Sequence, residues 1–182
     1  MPFEPSTQVK FGIVATIVAL LLDQATKALA LANATILYEG INVFPGLNLV
    51  LHHNPGVSFG MLGAVPWWVL TLVTLAICGV MVVLLWKSEG SLEALGYGLI
   101  IGGAIGNIVD RIRIGAVTDF LDFYYGDLHW PAFNLADTAI FCGAAAMIFS
   151  SFIETRDQAA QRKRESIRTQ RVAGTKDSGV SR

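Results

Sequence analysis

Residues 133–153 read FNLADTAIFCGAAAMIFSSFI, an apolar run with a single charge, Asp137, one turn inside it. A helix that crosses a bilayer needs roughly 20 mainly apolar residues. A carboxylate within such a helix costs about 2.5–3.5 kcal/mol at the bilayer centre and less towards the interface. The stretch therefore predicts a membrane span whose one expensive residue lies near its start.

The whole chain supports that reading. Of its 182 residues 53% are hydrophobic and 15% charged, with a mean hydropathy of +0.55. It is too apolar for an ordinary soluble domain and too short for several domains. Cys78 and Cys142 sit in apolar runs, with no CxxC or Cys/His cluster, and read as buried spacers. Four spans are predicted, over about residues 10–31, 65–86, 93–110 and 134–153. The second carries Trp67, Trp68 and Trp86 at its ends, the interfacial placement expected of a true span. The third is glycine-rich, which permits close helix packing. Lys10 with the following apolar core resembles a cleavable signal peptide, but Asp23, Gln24 and Lys27 interrupt the region first, and a retained span is expected.

Four spans put both termini on one side. Eight Lys/Arg crowd the tail from Arg156, Lys87 lies between spans two and three, and only Arg111 and Arg113 fall on the opposite face. The positive-inside rule then places both termini in the cytoplasm. The expected fold is an all-α polytopic membrane protein, four transmembrane helices with a small extracytoplasmic β element and a connecting loop. Residues 1–155 are expected to form the membrane domain, and residues 156–182 a basic cytoplasmic tail that is either unstructured or loosely bound to anionic head groups.

With that orientation the polar residues converge on one face. Asp23 and Lys27, four apart on one helix, fall in the outer half of span one and are placed to pair. Asn107, Asp110 and Arg111 end span three, and Asn134 and Asp137 begin span four. The connection VTDFLDFYYGDLHW brings Asp119 and Asp122 to the same side. The segment from Ile41 to Leu62, broken by Pro45-Gly46 and Pro55-Gly56, predicts a small β element over these helix ends, and Leu62 to Trp68 an interfacial stretch.

Two aspartates brought together near lipid suggest acid–base work. Like charges in contact share a proton, so one acts as base towards water while the other donates to a carbonyl. Asp119 and Asp137, eighteen residues apart, leave room for a loop folding back over span four. The bland alternative is that each carboxylate caps a helix or pairs with Arg111, Arg113 or Lys27. Asp110-Arg111 reads as a structural pair, with the fork of Arg111 also suited to a carbonyl or carboxylate. Asn107 and Asn134 either donate to the carboxylates or tie helices together. Adjacent His52-His53 point to opposite faces of a strand and make a poor metal site. Asp119 with Asp122 is a magnesium pattern lacking a phosphate-binding companion. Ser58 with Lys27 is a weak serine–lysine dyad, and Asn33-Ala34-Thr35 a short glycosylation pattern.

DQATK at 23–27, NPGVSF at 54–59, GGAIGNIVDR at 102–111, VTDFLDF at 117–123 and FNLADTAI at 133–140 occur in order. Together they resemble bacterial lipoprotein signal peptidase, also called signal peptidase II, over residues from about 10 to 153. The resemblance implies a four-span aspartic peptidase of the bacterial inner membrane, active at the outer (periplasmic) face. It removes signal peptides from diacylglyceryl-modified prolipoproteins just before the lipidated cysteine. It implies Asp119 and Asp137 as the catalytic pair, with Asp23, Lys27, Asn54, Gly56, Asn107, Arg111, Asn134 and Ala136 at supporting or substrate-binding positions. No metal or other cofactor is implied. The expected partners are lipid-modified precursors and membrane lipids, not nucleic acid, and the expected state is a monomer. Thr118 departs from the family's common valine, and the basic tail is longer than the family leads one to expect. Two other classes fit the polar residues less well: a small proton-coupled transporter, which calls for charge near the midplane, and a non-catalytic scaffold for a partner helix.

Overall fold

A computed structural model of the chain describes residues 4–56 and 65–177. Ser58, residues 62–64 of the expected interfacial stretch, and residues 178–182 of the tail lie outside the described residues. In chain order the elements are α1 (Thr7–Ala32), α2 (Ala34–Leu37), β1 (Ile41–Phe44), β2 (Leu47–Asn54), α3 (Trp67–Lys87), α4 (Ser91–Ile114), β3 (Val117–Tyr125), β4 (Leu128–His129) and α5 (Leu135–Asp177). Among the described residues four helices are long and apolar enough to cross a membrane: α1, α3, α4 and the Leu135–Ile153 part of α5.

The described residues fall into two compact units divided between Met147 and Ile148. The second is the rest of α5, helical through Asp177. An unstructured tail was expected there from its polarity. Polarity removes the drive to fold into a core but not the drive to coil: Ala, Gln, Arg, Lys and Glu, which dominate the stretch, are among the better helix formers.

Within the first unit α4 is the central helix, and small residues are the reason. α1 turns a stripe of Gly12, Ala15, Ala19, Asp23 and Lys27 inward, while Val14, Ile17, Val18, Leu21 and Leu22 stay exposed. Bulky groups outside and small ones inside is the pattern of a lipid-embedded helix, because hydrocarbon solvates leucine as well as a protein core does. Gly98, Gly102 and Gly106 of α4 receive that stripe. A β-carbon at Gly98 would strike the Gly12 carbonyl, and one at Gly106 the Asp23 carboxylate. Gly96 and Gly103, on another face of α4, meet Gly143 and Ala136 of α5 with equal closeness. Thr16 Oγ1 donates to the Gly98 carbonyl at 3.1 Å across the α1–α4 seam. α3 packs on α4 through Cys78 against Ala104 and Ile108, and through Leu85 against Ala94, Tyr97 and Ile101. Cys142, expected to be buried, lies exposed on α5.

The strands form one antiparallel sheet in the order β1-β2-β3-β4. The described residues of the expected β element supply β1 and β2. The stretch read as a connecting loop is β3, paired along β2 from Leu47↔Phe123 to Asn54↔Val117. Helix α4 ends at Gly115, whose positive φ of 71° lets its N–H close on the Arg111 carbonyl at 2.9 Å and turns the chain into β3. Leu51 and Phe120 anchor the sheet on Ala30 and Leu37 of α1 and α2.

Candidate active site

One β-bulge and one helix cap place the polar cluster. Between Leu49 and His52 the register of β2 slips by one residue against β3. A one-residue slip moves the following side chains to the other face. His52 then faces Asp119, and Asn54, two residues on, reaches Asp119 Oδ2 with its amide at 3.2 Å. Asn54 Oδ1 in turn accepts from the Gly56 N–H at 3.1 Å, an Asx-type turn that fixes the side chain.

Asn134 caps α5. The Asp137 N–H donates to Asn134 Oδ1 at 2.9 Å, and the Asn134 N–H reaches back to Asp137 Oδ2 at 3.4 Å. This is the reciprocal arrangement of a capping box, built here from asparagine and aspartate. The same Asn134 uses its amide nitrogen for Asp119 Oδ1 at 2.7 Å and for Asn107 Oδ1 at 3.2 Å. Asn107 completes the frame by donating to Asp137 Oδ1 at 2.9 Å. Asn134 thereby touches both carboxylates, with Asn54 as the second partner of Asp119 and Asn107 as the second partner of Asp137. Both line one cavity of about 110 Å³ with Asn54, Gly56, Asn107 and Arg111.

Behind the cavity lies a buried ion network. Lys27 Nζ touches Asp23 Oδ2 at 3.0 Å, Asp110 Oδ2 at 3.2 Å and Asn107 Oδ1 at 2.9 Å, so all three of its donor positions are taken. The i,i+4 pair is as expected. Asp110, however, pairs with Lys27 and not with the adjacent Arg111. Asp23 Oδ1 accepts the Ala136 N–H at 3.0 Å, and Asp110 Oδ2 the Thr118 N–H at 2.9 Å. One cation thus joins α1, α4, β3 and the start of α5. Asp23, Lys27 and Ala136 are fixtures of this network and do not line the cavity.

Two buried polar atoms find no partner among the described residues: Arg111 Nε and Thr118 Oγ1. The first belongs to the cavity wall. The second sits on a residue only 1% exposed, at the position where the family resemblance led one to expect valine. An enclosed hydroxyl without a partner forfeits its hydration. Thr118→Val keeps the shape and is expected to raise the unfolding free energy by about 1 kcal/mol, read as a higher Tm in detergent. A lower Tm would mean that the hydroxyl is satisfied.

The Asp119 carboxyl holds its proton far more tightly than usual, its pKa raised from 3.8 to about 7. Burial is the main cause and the Asp137 charge the second, opposed by the amides of Asn54 and Asn134 and by Lys27. Asp122 belongs elsewhere. It accepts from Asn48 at 3.0 Å and meets His129 Nδ1 at 2.9 Å, on the outer part of the sheet. Asp119 and Asp122 therefore do not converge on one ion.

The fold and this pocket define a polytopic membrane protein with a small cavity lined by two carboxylates, Asp119 and Asp137. The model of the signal peptidase II family matches residues 15–153. The chain belongs to that family, and it is a peptidase. It is 41% identical to the lipoprotein signal peptidase of Shewanella oneidensis, over 84% of this chain and 91% of that one. It is 45% identical to that of Maridesulfovibrio salexigens, over 78% and 94%. A solved structure described as a bacterial membrane enzyme, determined by the in meso method at 2.3 Å, superposes with a TM-score of 0.69 at 26% identity, covering 80% of this chain and 90% of that one. A second, at 1.9 Å, gives a TM-score of 0.65 at 27% identity, covering 76% and 90%.

Proposed function

We propose that the protein removes signal peptides from lipid-modified prolipoproteins, cutting just before the lipidated cysteine with Asp119 and Asp137 as the acid–base pair. The observation that carries this is that Asn134 touches both Asp119 and Asp137, carboxylates from different elements that line one small cavity. Membership of the family supports the reaction, and its relatives' name supports the substrate class.

In this reading both termini are cytoplasmic, as the basic residues favour, and the site faces the opposite side. The precursor's signal helix enters laterally from lipid, with its cysteine at the interface. Asp137, held by Asn107, takes a proton from water. Asp119 holds the pair's single proton and gives it to the carbonyl oxygen as the water oxygen bonds to the carbonyl carbon. The unpartnered Nε–H of Arg111 is a ready donor for that oxygen or a neighbouring peptide carbonyl. Collapse of the tetrahedral intermediate breaks the C–N bond, and the nitrogen leaves with a proton from the pair. The products are a signal peptide with a free carboxylate and a lipoprotein with a new amino terminus.

The test is purified protein in liposomes with a lipidated precursor across a pH series. Asp119 must be protonated, so the rate is expected to fall above about pH 7, approaching tenfold per unit. A rate flat across the alkaline side would remove Asp119 from the acid role.

A further inference from the structure

A second cavity, of about 480 Å³, adjoins the first and shares Asp137 with it. Its other walls are apolar: Phe123 from β3, Trp130 and Phe133 from the connection to α5, and Phe141 on α5 itself. Thr138 is the one further polar lining group, and its hydroxyl is already bonded to the Asn134 carbonyl at 3.1 Å. Apart from Asp137 at its inner end, the groove asks for no hydrogen bond. Its size lies within the range of small-ligand sites.

The walls are built in advance. Phe123 and Phe133 stack with centroids 5.6 Å apart. The Phe133 carbonyl accepts from the N–H groups of Phe120 and Leu121, and its own N–H donates to Leu121, so the loop is locked to β3. The Trp130 N–H donates to the Phe123 carbonyl at 2.7 Å. His129, beside it, is held by Asp122 and stacks on Tyr124. Two of its walls, by contrast, are exposed. Phe141 lies in the spanning part of α5 and is 75% exposed, and Trp130, of a type favoured at membrane interfaces, is 60% exposed.

We infer that this aromatic groove holds one fatty acyl chain of the substrate's lipidated cysteine. The inference rests on the proposed function. It adds where the lipid is read: an apolar trough that begins at one of the reacting carboxylates and runs outward into the bilayer. A chain lying there exchanges one hydrocarbon surrounding for another of matched shape, so the gain is in position more than in affinity. It sets the thioether carbon, and with it the preceding peptide bond, at a fixed distance from Asp137. Aqueous peptides are disfavoured, because a backbone laid on these rings leaves its polar groups unpaired.

The experiment compares two synthetic precursors, identical but for palmitoyl or butyryl chains on the cysteine, with wild-type protein and with Thr138→Trp, which fills the trough. The filled variant is expected to raise the ratio of the palmitoyl KM to the butyryl KM by about tenfold or more. An unchanged ratio, including one in which both KM values rise together because a peptide side chain uses the trough, would overturn the inference. A second measurement decides the matter if Thr138→Trp does not fold. In Asp119→Asn protein, which is expected to bind precursor without cutting it, brominated acyl chains should quench the fluorescence of Trp130, identified as the signal lost in a Trp130→Phe background. No Trp130 quenching at saturating precursor overturns the inference. Failure of wild-type protein to cleave either precursor would instead overturn the proposed function.

Discussion

Asp119→Asn is expected to lower cleavage of a lipidated precursor by about 10²–10⁴-fold while the protein inserts and folds as before. Asparagine has the size of aspartate and keeps an acceptor for one of the two amides, of Asn54 and Asn134, that Asp119 accepts on separate oxygens, but it can neither give nor take the proton that the proposed mechanism needs. The same substitution has a second, opposite effect. The folded protein binds the Asp119 proton more tightly than the unfolded chain, where the pKa is near 3.8. This carboxyl therefore subtracts nothing from stability below that pH, and a growing amount as the pH rises through about 7. Removing it should raise Tm at pH 8 and leave Tm nearly unchanged at acid pH. A gain in stability together with a loss of activity is the mark of a group strained for chemistry. Full cleavage by Asp119→Asn would end the paired-carboxylate mechanism, and a Tm that falls at pH 8 would end the account of its burial.

Lys27→Met is expected to be the most damaging single change to the fold, at about 3–5 kcal/mol. Lys27 is 2% exposed and Asp23 fully enclosed, so their charges meet no water in exchange for what they lose. Taking away the cation leaves the Asp23 and Asp110 carboxylates enclosed and facing one another, and loosens α1 from α4 and β3 at once. Asn107 also loses the donor that orients its amide towards Asp137, so activity should fall even in the fraction that folds. Thermal unfolding in detergent measures the first effect and precursor cleavage the second. The triple change Asp23→Asn, Lys27→Met, Asp110→Asn removes all three charges together and should recover part of the lost stability. A Lys27→Met protein as stable as wild type would show that the network is ornamental.

The helices were legible in the sequence because each span is a long apolar run, and every charge that interrupts one is a costly exception with a purpose. The Asp23–Lys27 pair was legible for the same reason, at helical spacing. β3 was not. Its first four residues are all enclosed, so Thr118 and Asp119 sit among apolar neighbours without the alternation that marks a half-buried strand. The β-branched and aromatic content of VTDFLDFYY was the available signal. Nor does the sequence tell that Lys27 reaches Asp110, or that one asparagine touches both carboxylates. Those depend on how close glycine lets α4 come to α1 and α5, which is a property of packed backbones and not of any local pattern. The capping and acid–base readings of Asp137 looked like rivals in the sequence; in the folded chain the capping geometry aims the carboxylate into the cavity.

That double duty has an evolutionary corollary. Under the proposed mechanism, a lineage released from that activity can exchange Asp119 for a residue that still accepts from Asn134 with little loss of fold, since the carboxylate caps no helix and its burial costs stability above acid pH. Asp137 also finishes the start of a helix, and drift at that codon is penalised by the fold alone. Degenerate copies of this gene are therefore expected to change at residue 119 before residue 137.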